Sequence, residues 1–154
     1  MVRPVVLLVN PNRMWPPVAP IGLEYVASAI ERRGYEPVVC DLTFADDWRT
    51  ALSEAMNNHQ PMAVGVTVRN IDDAYFASQD FVLKTTRDVV RHVRDSLSAP
   101  VVLGGIGFSC APRSVLAFTG ATYGIVGEGE NAFPDLLDRL ELGDPVDDVP
   151  GAVF

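Results

Sequence analysis

Apolar residues along this chain fall into two patterns. Short, almost unbroken runs occupy residues 5–9, 62–68 and 101–103. Runs of that length predict strands buried on both faces of a parallel sheet. The other pattern recurs every three or four residues, as on a helix with one buried stripe. It sets Leu23, Val26, Ala27 and Ile30 on a first helix, with Pro20 near its first turn and Gly34 at its end. Trp48, Ala51, Leu52 and Ala55 mark a second helix, capped by Asp46 or Asp47. Thr86, Val90, Val93 and Leu97 mark a third. A short fourth starts at Pro112 and closes near Gly120, and a fifth buries Phe133, Leu136, Leu137 and Leu140 before Gly143.

Strands are expected at residues 4–9, 36–40, 62–68, 101–103 and 121–126. Five strands alternating with five helices predict an α/β fold, Rossmann-like and flavodoxin-like: a five-stranded parallel sheet with helices on both faces. Pro37 cannot donate to a ladder, which favours an edge position for the second strand. The order 2-1-3-4-5 suits that edge and the apolar runs of strands 3 and 4. The domain is expected over residues 1–143, and the Pro- and Asp-rich residues 144–154 read as a linker.

Ligands of an open α/β sheet bind outside the carboxyl ends of its strands. There the fourth strand runs straight into Gly104-Gly105-Ile106-Gly107-Phe108-Ser109. Glycine permits positive φ and lets a ligand approach the main chain closely. Three glycines in four positions read as the floor of a cofactor pocket, although a plain strand-to-helix turn would use one of them.

Composition narrows the partners. With 48% hydrophobic and 21% charged residues the chain is ordinary globular material. A net charge of −8 with no basic run argues against nucleic acid and against an anionic membrane surface. The first apolar run is too short for a signal sequence or a membrane span, so the cytoplasm is the expected location. Cys40 and Cys110 have no Cys-x-x-Cys spacing, so this chain alone builds neither a zinc ribbon nor an Fe–S cluster. The strand order sets them ~14 Å apart, too far for a disulfide.

The strand-end loops test the usual occupants. A phosphoryl receiver needs acidic residues after strand 1 and an Asp ending strand 3, where this chain has Asn10 and Thr67-Val68-Arg69. A flavodoxin phosphate loop is rich in Ser, Thr and Gly, unlike Pro11-Asn12-Arg13-Met14. A dinucleotide fingerprint follows the first strand, whereas Gly105-x-Gly107 follows the fourth. His59 is expected at the opposite end of the sheet and His92 within the third helix, so neither suits nucleophile–base chemistry.

What remains is a ligand held by backbone, a few polar groups and apolar walls. Pro20-Ile21-Gly22-Leu23-Glu24-Tyr25-Val26-Ala27, Thr67-Val68-Arg69-Asn70-Ile71-Asp72, Val102-Leu103-Gly104-Gly105 and Val126-Gly127-Glu128-Gly129-Glu130 together resemble the N-terminal cobalamin-binding domain of cobalamin-dependent radical SAM methyltransferases. The resemblance covers essentially the whole chain. Within that family, Arg69-Asn70-Ile71-Asp72 and Gly107-Phe108-Ser109 most resemble members that methylate carbon 2 of tryptophan in thiopeptide antibiotic biosynthesis.

The resemblance implies base-off cobalamin (methylcobalamin), with its dimethylbenzimidazole tail buried in the sheet domain. It places Thr67 beside the tail, and Gly104 and Gly105 where the tail passes. Gly127, Glu128 and Gly129 would offer amides to the ribose or phosphate, although simple helix initiation explains them equally. Thr67 also reads as a strand-end hydroxyl capping its own turn. Val68, Asn70, Gly107 and Phe108 complete the expected contact set. Cobalamin domains of methionine synthase and the mutases carry Asp-x-His-x-x-Gly after strand 1; here that loop has no His, so no side chain of this domain is expected to ligate cobalt. Arg69 is the candidate for the lower face of the metal, against a solvated loop arginine paired with Asp72 or Asp73.

Val149-Pro150-Gly151 resembles the junction with a radical SAM barrel. That barrel would hold a [4Fe–4S] cluster and S-adenosylmethionine on a Cys-x-x-x-Cys-x-x-Cys segment beyond Phe154. The chain alone is then catalytically incomplete. The Met14-Trp15-Pro16-Pro17 tip is expected near the corrin or that domain. A stand-alone cobalamin or small-ligand carrier and a flavin-binding electron-transfer module are the alternatives.

Overall fold

Side chains alternate across a strand, and in Val5–Asn10 (β1) this sends Leu7 and Val9 into one core and Val6 and Leu8 into another. The computed structural model describes residues 2–73, 75–78 and 80–154. Beside β1 lie Glu36–Asp41 (β2), Ala63–Thr67 (β3), Val101–Gly104 (β4), Tyr123–Ile125 (β5) and Ala152–Val153 (β6). Their order is β2-β1-β3-β4-β5-β6. The first five pair in parallel, and β6 runs antiparallel to β5.

One face of the sheet is covered by Trp48–His59 (α2), Leu83–Ser96 (α3) and Pro112–Thr119 (α5), preceded by the short Ile106–Cys110 (α4). The other carries Ile21–Arg33 (α1) and Gly129–Leu142 (α6). Local chemistry sets the boundaries. Asp47 caps α2, its carboxylate accepting from the Arg49 N–H at 3.0 Å and the Thr50 hydroxyl at 2.7 Å. Gly34, Gly120 and Gly143 end three helices in the left-handed conformation. Cys40 and Cys110 are both free, the first buried and the second exposed. No helix among the described residues is long and apolar enough to cross a membrane.

The expected strand count is corrected: the sheet has six strands. Residues 144–154, read as a linker, pack against the domain. Val149 is buried, the Val126 N–H donates to the Gly151 carbonyl at 2.8 Å, and Arg139 pairs with Asp148 at 2.7 Å. Without β6, β5 would present a bare edge, and the tail's Val146, Val149 and Ala152 cover the α1/α6 core. The glycine stretch also contains a helix, α4, where a loop was expected.

At the end of the sheet away from the carboxyl ends, Tyr35 ties α1 to α6. Its buried hydroxyl lies 2.9 Å from Asp138 Oδ1 and 3.0 Å from Glu141 Oε2, while Arg33 bridges Asp135 and Asp138. Burial first, then its hydrogen bonds to the two carboxylates, push the phenol well above its usual range. The folded state thus holds the phenolic proton more tightly than the unfolded chain does. This contribution is complete below the ordinary pKa of 10.0 and is lost as pH rises beyond it. Denaturant midpoints should fall above pH 10, and Tyr35→Phe should flatten that decline. Parallel curves for the two proteins would remove the assignment.

Candidate functional site

The residues that face α1 and α6 are small near the carboxyl ends of the central strands. On β3 they run Ala63, Gly65, Thr67, and on β4 Val102 is followed by Gly104. A Cβ on Gly65 would lie 2.9 Å from Leu8 Cδ2 and 3.1 Å from Phe133 Cε1, so glycine lets Phe133 lie down on the sheet. A Cβ on Gly104 would meet nothing within 4 Å. It points into a cavity of about 250 Å³. The floor is formed by Leu8, Gly65, Thr67, Val102, Gly104 and Ile125, the walls by Gly22, Leu23 and Val26 of α1 and Phe133 of α6. Gly105, Gly127, Glu128, Gly129 and Glu130 form the rim.

The rim is held by the chain itself. Gly105 has φ +97°, and a Cβ there would sit 2.8 Å from the Val68 carbonyl oxygen and 3.0 Å from Thr67 Oγ1. The Val68 N–H donates to the Gly104 carbonyl at 2.7 Å, and the Gly107 N–H to the Val68 carbonyl at 2.9 Å. Ser109 Oγ donates to the Gly105 carbonyl at 3.1 Å and accepts the Gly127 N–H at 2.9 Å. The two glycine turns are therefore stapled together, beside the amino-terminal amides of α6. The Thr67 hydroxyl faces the cavity with no hydrogen-bond partner among the described residues.

Of the residues singled out from sequence, Thr67, Gly104, Gly105, Gly127, Glu128 and Gly129 line this one cavity. Val68, Arg69, Asn70, Gly107 and Phe108 do not. Phe108 is a correction: it is fully buried in the α2/α3/α5 core, across the sheet from the cavity. Its ring occupies the space a side chain at position 124 would need, which is why that position is Gly124. Val68 is buried in the same core, and Gly107 is a close-approach glycine. Arg69 is exposed and Asn70 half-buried, just past the end of β3.

Sequence reasoning missed the rest of the lining: Leu8, Gly22, Leu23, Val26, Gly65, Val102, Ile125, Glu130 and Phe133. One signal was available. A glycine inside an apolar strand marks close approach of something to the backbone, and Gly65 is such a residue.

The loop after β1 is rigidly clamped. Buried Asn10 donates to Asp41 at 2.9 Å and to Thr43 at 3.1 Å, and Arg13 donates to the Leu42 and Ala45 carbonyls at 3.1 and 2.6 Å. Trp15 stands outward, 83% exposed. The histidines lie elsewhere. His59 ends α2, and His92 Nε2 lies 2.8 Å from Ser53 Oγ between α2 and α3.

An α/β sheet with an apolar, glycine-floored cavity at its carboxyl ends fits a cofactor with a buried aromatic tail. The chain belongs to the B12-binding domain family, which matches residues 16–137. It is 40% identical over 149 residues to the tryptophan 2-C-methyltransferase of Streptomyces laurentii, covering 95% of this chain and 25% of that protein. It is also similar to the radical S-adenosylmethionine methyltransferase TsrM from Kitasatospora setae, solved with cobalamin and a [4Fe-4S] cluster bound. That match has a TM-score of 0.93 and 41% identity over 98% of this chain and 27% of that one. A second structure of TsrM, with tryptophan and an aza analogue of S-adenosylmethionine, gives a TM-score of 0.92 at 42% identity over 96% of this chain and 28% of that one. The chain thus spans about a quarter of the length of these relatives.

Proposed function

We propose that this chain is the cobalamin-binding part of a cobalamin-dependent radical SAM methyltransferase acting on carbon 2 of tryptophan. The cavity beside Gly104, in a chain 40% identical to such an enzyme, carries the reading. The apolar walls take the dimethylbenzimidazole tail, Gly104 leaves room for it, and Thr67 offers it a hydroxyl. Amides of Glu128 and Gly129 meet the ribose or phosphate at the helix terminus, while that of Gly127 is held by Ser109 Oγ. When bound, cobalamin supplies a cobalt centre that relays a methyl group from S-adenosylmethionine to the acceptor carbon. The native protein continues into a segment with Cys-x-x-x-Cys-x-x-Cys, which holds the [4Fe–4S] cluster and S-adenosylmethionine. The protein titrated with hydroxocobalamin should give a base-off absorption spectrum at neutral pH. Failure to bind, or isolation with a flavin, would overturn the reading.

Arg69 and Asn70, at the end of β3, face the corrin in this reading. A guanidinium has five donors and no lone pair, so Arg69 beside the corrin would cover that side without ligating cobalt. Its positive charge would favour the electron-rich, reduced metal. The electron paramagnetic resonance spectrum of the Co(II) form should show no axial nitrogen splitting. Arg69→Ala should admit water and change that spectrum, with Arg69→Lys intermediate. Identical spectra for the unmutated protein and Arg69→Ala would remove Arg69 from this role.

A further inference from the structure

We infer that the cavity selects the lower base of the cobamide, taking dimethylbenzimidazole and rejecting a purine. The inference rests on the reading of this cavity as the tail site. Its side-chain walls are hydrocarbon: Leu8, Leu23, Val26, Val102, Ile125 and Phe133. The polar side chains that reach it are Thr67, at the end of β3, and Glu128 and Glu130, at the start of α6. All three stand at the mouth. Deeper in, the next residue of β3 on this face is Gly65, under Leu8 and Phe133.

The backbone supplies no partners there either. Strand β3 pairs with β1 on one side through Val6↔Ala63 to Val9↔Val66, and with β4 on the other through Val64↔Val101 to Thr67↔Gly104. Its amides and carbonyls are spent in those ladders. Both bases present a ring nitrogen that Thr67 can meet at the mouth. They differ at the inner edge. Dimethylbenzimidazole ends in two methyl groups, which suit Phe133 and Leu8. Adenine ends in ring nitrogens and an exocyclic amine, which lose water there and gain nothing. An orphaned polar group lowers affinity by roughly 10- to 100-fold.

The test titrates the protein with cobalamin, with the cobamide carrying adenine, and with cobinamide, which has no nucleotide tail. Binding is followed by quenching of protein fluorescence. Cobalamin should bind roughly 10- to 100-fold more tightly than the adenine cobamide. Cobinamide should also bind more weakly than cobalamin. Val26→Gln places an amide on the α1 wall, at a half-buried position that tolerates it, and should narrow the ratio about tenfold. Equal affinity for the two cobamides, with cobinamide weaker, overturns the selectivity and leaves the tail site standing. Cobinamide as tight as cobalamin, or no binding of any of the three, overturns the tail site itself. An unchanged ratio in a folded, cobalamin-binding Val26→Gln overturns wall polarity as the cause.

Discussion

Gly104→Leu should weaken cobalamin binding by roughly 10- to 100-fold while the protein stays folded. The side chain introduced at this position leaves β4 into open space, since a Cβ there meets nothing within 4 Å. Gly104 also has no positive φ, so the substitution carries no backbone strain of the kind that falls on Gly105. The added isobutyl group enters the cavity of about 250 Å³ that Gly104 lines. Apolar atoms entering an apolar cavity gain contacts, so thermal stability should hold or rise. The ligand meets the reverse: its tail and the new side chain claim one space. Overpacking costs of roughly 1–3 kcal/mol per insertion in a closed core, with no room to shift, correspond to at least a tenfold to hundredfold loss. Titration with cobalamin beside a melting curve checks both halves. Unchanged affinity in a folded Gly104→Leu would remove the tail from this cavity. Gly105→Val is the poorer experiment. Its φ of +97° and the Val68 carbonyl 2.8 Å from the Cβ would damage the turn whatever the ligand did.

The contrast between these neighbouring glycines shows how far the sequence was legible. Both looked alike as letters, and both line the cavity, Gly104 in its floor and Gly105 at its rim. Only the backbone shows that Gly105 is required by the turn and Gly104 by the space beside it. The strand runs at 5–9, 62–68 and 101–103 and the helical stripes were readable because burial on two faces or on one imposes different periods. Pro37 correctly placed β2 at an edge. What escaped is non-local. A two-residue strand, Ala152–Val153, exists because β5 offers it an edge and α6 offers Arg139 to Asp148. Within eleven Pro- and Asp-rich residues no period could announce it. The cavity walls escaped for the same reason. Leu23, Val26 and Phe133 were read as core stripes, and nothing in a stripe says that the glycines opposite it leave a gap. Phe108 shows the converse error. Placed between Gly107 and Ser109 at a ligand loop, it looked like a contact, yet its partner is Gly124, sixteen residues on.

That pairing has a measurable consequence. Phe108→Ala should destabilise the protein by about 3–5 kcal/mol, the range for deleting a buried phenylalanine ring. The residue has no exposed surface and fills the corner where α4 and α5 meet β4 and β5. The ring lies so close over β5 that a Cβ at Gly124 would fall 2.0 Å from Phe108 Cζ. Gly124→Ala in the otherwise unchanged protein must therefore displace the ring, at about 1–3 kcal/mol or more. Once the ring is gone the same methyl enters a void and costs little. The two substitutions share one space, so their effects should not add. The double variant should be at least ~1 kcal/mol more stable than the sum of the singles predicts. Urea unfolding of the four proteins closes the cycle. Additive losses, or a Phe108→Ala loss below ~1 kcal/mol, would mean that the ring is not the filler of this core. Because α4 also carries Ser109, whose hydroxyl joins the Gly105 and Gly127 turns, the ring has a second effect. Phe108 does not line the cavity, yet its burial anchors the helix from which Ser109 reaches both turns.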